Sequence, residues 1–189
     1  MKGLMLNLLW PAVAGNVVWV FFSGLFEISS KEIDFAKIIA LFFLSWYLCL
    51  DFVNTQEKQE NLKDEFYKAD LPLAFAIIFF AHSIHYKPNW SLWFLIAIFL
   101  IAGIGHWFGA WEEKTPPVGV EADDERVEKL IINGGGFIIS LLFGVIFLLE
   151  RKNVPEWYSP GAAAFTTGLV VICWSMHVIK KLRIRNRQQ

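Results

Sequence analysis

Residues Leu71 to Trp111 read LPLAFAIIFFAHSIHYKPNWSLWFLIAIFLIAGIGHWFGAW. Two apolar runs meet there at Lys87-Pro88-Asn89, and three of the 4 histidines, His82, His85 and His106, lie within them. An acidic hydrophilic stretch flanks this unit on each side, and beyond each stretch come two more apolar segments. A hydrocarbon core of about 30 Å takes roughly 20 residues of helix to cross. The stretch therefore predicts a hairpin of membrane helices at the centre of a larger, symmetrically threaded set.

Working outward, uncharged apolar runs cover Gly3 to Phe26, Ile38 to Leu50, Leu71 to Tyr86, Asn89 to Trp111, Leu130 to Leu149 and Trp157 to Ile179. A hydrophobic content of 56% and an aromatic content of 16% in 189 residues exceed what a soluble domain of this size hides. The fold class expected is all-α: a polytopic integral membrane protein, one membrane domain of six transmembrane helices, with five as the alternative count. Lys2, an apolar run and Ala12-Val13-Ala14 imitate a secretory signal, but the run continues to Phe26, which favours a retained first helix. Pro11 predicts a kink in that helix, and Asn7 and Asn16 predict separate interhelical hydrogen bonds.

Between Gly24 and Pro72 there is no glycine or proline. Rich in helix formers and carrying an Asp64 to Lys68 pair, this region predicts an unbroken helix from 34 to 69, about 54 Å long, whose membrane part is 35–52, with a membrane helix followed by a separate surface helix as the alternative. The other helices are expected near 3–26, 71–86, 90–111, 130–149 and 157–180. The loops 51–70 and 112–129 are acidic, with Glu121 to Ile132 reading as a short amphipathic helix. Asn133-Gly134-Gly135-Gly136 then opens the fifth helix, a run suited to close backbone approach or a hinge.

Basic residues in short loops set orientation. With the N-terminus inside, twelve of the 17 Lys and Arg residues fall on the cytoplasmic side. Both termini are thus expected in the cytoplasm of a bacterial inner membrane, with 180–189 as a basic tail. All sizeable hydrophilic surface then lies on one face.

Ionisable residues at membrane depth are functional candidates because burying them costs free energy. Counted inward from the outer ends, Asp51 lies about 21 Å, His106 about 24 Å and His177 about 30 Å down, which makes them the candidate intramembrane polar site for a proton or cation. His82 and His85 lie near the outer face, as interfacial side chains or as metal or pH-sensing groups. Trp10, Trp46, Trp90, Trp93, Trp107, Trp111, Trp157 and Trp174 read as interfacial anchors. Cys49 and Cys173 read as thiols within the membrane. No catalytic constellation, metal motif or phosphate loop is present in the sequence, so no cofactor is expected.

Partner contacts are expected from the acidic loops, through Glu57, Glu60, Asp64, Glu65, Phe66, Asp123, Asp124, Glu125 and Glu128. Lipid or an acidic partner is expected at Lys180, Lys181, Arg183, Arg185 and Arg187, each base being worth about 1 kcal/mol near anionic lipid. The leading expectation is a non-enzymatic, homo-oligomeric membrane subunit in contact with lipid and a cytosolic protein but not directly with nucleic acid. It would act as a sensor, anchor or pore-forming effector of a bacterial stress or antiviral defence module. In size, helix number and inward termini the chain resembles the substrate-binding membrane components of vitamin-uptake transporters. That resemblance is of architecture, without a shared residue motif, and implies small-molecule or ion transport as an alternative. A haem-binding redox protein using His106 and His177 is a third.

Overall fold

A computed structural model describes residues 8–26, 32–57, 67–108, 122–150 and 153–186, with side chains except at 32–34, 51–57, 67, 122–125 and 181–186. Among the described residues the chain is all-helical, with six helices and no strand. In chain order they are α1 (Trp10–Phe26), α2 (Glu32–Glu57), α3 (Tyr67–Tyr86), α4 (Pro88–Trp107), α5 (Ala122–Leu149) and α6 (Tyr158–Asn186). Four of them, over Lys68–Tyr86, Pro88–Trp107, Arg126–Leu149 and Tyr158–Lys180, are long and apolar enough to cross a membrane. The apolar parts of α1 and α2, Trp10–Phe26 and Phe35–Leu50, are shorter.

Successive helices alternate in direction. The α3–α4 hairpin turns on one residue: Lys87 donates its N–H to the Ser83 carbonyl at 2.8 Å, and its own carbonyl accepts from Trp90 at 2.9 Å. Pro88 opens α4 where no intrahelical N–H is needed. On the adjacent pair, Gly136 of α5 faces Phe99 of α4 while Gly144 faces Trp93 and Ile96, so the two run antiparallel. α2 and α6 run parallel, with Phe43 over Gly168 and Tyr47 against Trp174. The starts of α1, α3 and α5 and the ends of α2, α4 and α6 share one end of the bundle, called basal below.

Small residues decide which helices come closest. The first half of α6 buries Ser159, Ala162, Ala163, Ala164, Thr166 and Thr167, and this smooth face lets α2 approach until a Cβ on Gly168 would stand 2.9 Å from the Phe43 ring. Thr166 and Thr167 return their hydroxyls to the carbonyls of Ala162 and Ala163 at 2.9 and 2.7 Å, so neither adds a polar demand to the core. The outward surface is apolar as well. Phe35, Phe42 and Trp46 on α2, and Ile138, Leu142, Ile146 and Leu149 on α5, are exposed as lipid-facing side chains would be. Cys49 and Cys173 are free thiols on this surface.

Several boundaries differ from expectation, among them the end of α4 at Trp107 rather than near 111 and the end of α6 at Asn186 rather than near 180, within the expected tail. Tyr67 to Ala69, expected to end the long second helix, form the first turn of α3 and run unbroken through Pro72 to Tyr86. α2 is helical to Glu57, and residues 58–66 lie outside the described part. Proline one turn inside α3 removes a single ladder bond, a loss that does not outweigh the apolar face continuing from Leu73 to Ile84. The acidic segment and the fifth membrane helix are one helix, so Gly134-Gly135-Gly136 lies within α5 rather than at its start. Just ahead of α1, Leu8 and Leu9 form a π turn, next to Trp10 and Pro11, where the sequence predicts a kink.

Candidate functional site at the basal end

The basal end gathers the polar side chains of α5 and α6. Glu128, in the second turn of α5, faces the last part of the α6 span, where residues 177 and 180 are one turn apart and share a face. His177 Nδ1 lies 2.6 Å from Glu128 Oε2, and Lys180 Nζ donates to Oε1 at 2.5 Å. An ionised carboxylate only accepts, so Nδ1 carries the hydrogen of the first contact. The two halves differ in environment: the His177 side chain is 7% exposed and that of Lys180 is 63% exposed. Glu128 therefore ties a buried ring and a solvent-reaching ammonium to one point on α5.

The next residue turns the other way. Lys129 is 6% exposed, and its ammonium stands 5.7 Å from the Trp174 ring centroid, a cation–π contact in a desolvated setting. Trp174 is itself buried, stacks on His177 with centroids 5.5 Å apart, and meets Tyr47 of α2 at 6.0 Å. Among the described residues its indole N–H has no hydrogen-bond partner. One turn further along α5, Asn133 donates its side-chain amide to the Lys129 carbonyl at 2.9 Å. Adjacent residues of α5 thus grip α6 from two sides.

A second pair braces the same end. Trp10 Nε1 donates to Asp70 Oδ2 at 2.9 Å between the starts of α1 and α3, both side chains buried. Between the last turns of α4 and the first half of α5 runs a shallow apolar groove of ≈ 270 Å³. Gly103, Ile104 and Trp107 form one wall, and Leu130, Gly134 and Phe137 the other.

Of the residues singled out from sequence, His177, Glu128 and Lys180 come together, although the sequence places them in three different sets. His106 is half-buried in the last turn of α4. Asp51 and Glu57 lie on α2, Asp123, Asp124 and Glu125 on the first turn of α5, and Lys181, Arg183 and Arg185 on the last turns of α6. Glu60, Asp64, Glu65, Phe66 and Arg187 lie outside the described residues. At the opposite end His82 stacks on Tyr86 and His85 meets its edge, centroids 6.1 and 4.5 Å away. Among the described residues no three His, Cys, Asp or Glu side chains gather as metal donors.

Two tryptophans depart from the anchor reading. Trp10 and Trp174 are buried and hold helices together, whereas Trp46, Trp90, Trp107 and Trp157 are exposed. Sequence reasoning also passed over Lys129 and Asp70 as loop charges. A signal existed for the first: Leu130, Ile131 and Ile132 follow directly, and Asn133 stands four residues on, placing Lys129 within the apolar helix.

No family model matches this chain, and no significant match is found among curated proteins or solved structures.

Proposed function

We propose that the chain is a non-enzymatic, multi-pass inner-membrane subunit with six spans and both termini in the cytoplasm, which presents its basal end to a soluble protein partner. The observation that carries this reading is the Glu128 bridge. Because Glu128 meets His177 and Lys180, the acidic first turn of α5, with Asp123, Asp124 and Glu125, is held beside the basic end of α6. Opposite charge in two adjacent patches on a braced surface suits selective, salt-sensitive recognition more than it suits stability. Assembly as a homo-oligomer belongs to the same proposal, with sensing, anchoring or pore formation as the roles such a subunit fills. The test is affinity isolation from native membranes of the full chain and of the triple variant Asp123→Asn/Asp124→Asn/Glu125→Gln. The reading predicts a soluble protein retained by the first and lost by the second; equal recovery by both would end it.

A second reading, proton- or cation-coupled transport, is favoured by one observation. Lys129, Asn133 and His177 are all buried within helices long and apolar enough to span a membrane, where such residues commonly line ion pathways. Its test is flux into liposomes by the wild type and by Lys129→Met, which on this reading loses transport while keeping its fold.

A further inference from the structure

The glycine run of α5 lies between two differently held lengths of helix. Above it, Gly136 is pinned: a Cβ there would stand 2.9 Å from both Phe99 and Val170. Below it, the basal length of α5 is held to α6 by Glu128 on one side and Lys129 on the other. Between these, Gly134 and Gly135 have nothing within 4 Å of where a Cβ would stand. No packing demand therefore requires glycine at those two positions, and each glycine weakens a helix by about 1 kcal/mol relative to alanine. The Asn133 side chain bonded to the Lys129 carbonyl gives that carbonyl a second partner just below the run, so the ladder can bend there without leaving it bare. On the side of α5 turned to α4 lies the groove, with Leu130 and Gly134 on its wall, so the basal length has room to tilt away from α6.

From this juxtaposition of an unpacked glycine pair, a clamp and an adjoining groove, we infer that α5 is hinged at Gly134-Gly135 and that the Glu128 bridge to His177 and Lys180 is the latch holding its basal length against α6. Released, the segment tilts toward Ile104 and Trp107 and carries Asp123, Asp124 and Glu125 with it. This makes the acidic turn a movable element. The inference does not rest on the identity of any partner, since it concerns only how α5 moves.

Hydrogen exchange of the full chain in nanodiscs, read by mass spectrometry along α5, tests it. In Glu128→Gln the amides of residues 126–133 are expected to exchange about tenfold faster than in the wild type, while those of residues 138–146 stay unchanged. Adding Gly134→Ala and Gly135→Ala, whose methyls enter open space, is expected to remove at least half of that increase on a logarithmic scale. No acceleration in Glu128→Gln, or an acceleration that the alanines reduce by less than half, overturns the hinge. Should Glu128→Gln loosen the whole bundle, the two alanine substitutions alone decide: slower exchange at 126–133 than in the wild type supports the hinge, and an equal or faster rate overturns it.

Discussion

Trp10 and Asp70, 60 residues apart in the chain, form a buried hydrogen bond of 2.9 Å that fastens the start of α1 to the start of α3. Neither residue stands in the middle of a span, yet Asp70 is only 1% exposed. A buried carboxylate needs its donors, and losing one leaves the acceptor without the water it gave up on folding. Trp10→Phe is thus expected to lower stability by about 1–3 kcal/mol, measured as a drop in the detergent melting temperature. Asp70→Asn keeps an acceptor for the indole and is expected to cost less than Asp70→Leu. If Trp10→Phe melted with the wild type, the bond would carry no net stability.

The glycines of the bundle divide by what surrounds them, and substitution should divide them in the same way. At Gly168 a methyl would meet the Phe43 ring at 2.9 Å, where α2 packs on α6. Gly168→Ala is expected to destabilise by about 1–3 kcal/mol through overpacking. Gly15 on α1 has nothing within 4 Å, so Gly15→Ala is expected to be neutral or to stabilise by up to about 1 kcal/mol. Thermal unfolding of the two variants side by side checks both signs, and the reverse order would contradict the packing described for α6.

What the sequence discloses follows what it repeats. Long apolar runs identify the helices, and Lys87-Pro88-Asn89 marks the tight hairpin, because chain-local chemistry is enough to make them. Boundaries set by competition between neighbours are less legible. Helix formers from Gln56 to Ala69 favour continuation of α2, but nothing in that string says that Tyr67 to Ala69 extend α3 past Pro72. Glycines at 134–136 read locally as an opening, yet the helix runs through them, and Phe99 and Val170 pressed on Gly136 supply a packing reason for glycine there that only the folded bundle reveals. The basal cluster is less legible still. Glu128 and His177 lie 49 residues apart, and no periodicity within either segment announces that they meet.

The two bonds of Glu128 should differ in worth, although Lys180 makes the shorter contact. Lys180 is largely exposed, so its pairing is screened and it gives up side-chain freedom to hold one geometry; such pairs contribute about 0–1 kcal/mol. His177 is buried against Trp174, where the same carboxylate is felt through less water. Double-mutant cycles combining Glu128→Gln with His177→Gln and with Lys180→Met are expected to give a larger coupling for the histidine, about 1–3 kcal/mol. Equal couplings, or a larger one for Lys180, would show that exposure does not set the worth of this bridge.

Threading makes the last prediction, and it separates surface that is exposed to lipid from surface exposed to water. Cys49 on α2 and Cys173 on α6 both lie on the outside of the bundle, in apolar parts of their helices. A charged maleimide does not enter hydrocarbon, where it would lose its hydration without a compensating partner. In intact cells and in inverted membrane vesicles alike, both cysteines are therefore expected to resist a charged maleimide, despite their exposure in the isolated chain. In a cysteine-free background, a single cysteine at Asn89, beside the α3–α4 turn, is expected to label from outside the cell, and one at Arg183 only in inverted vesicles. Labelling of Asn89→Cys and Arg183→Cys from the same side would require an even number of spans between them and break the six-span threading. Prompt labelling of Cys49 with both of those as expected would leave the direction intact but remove the apolar part of α2 from the bilayer.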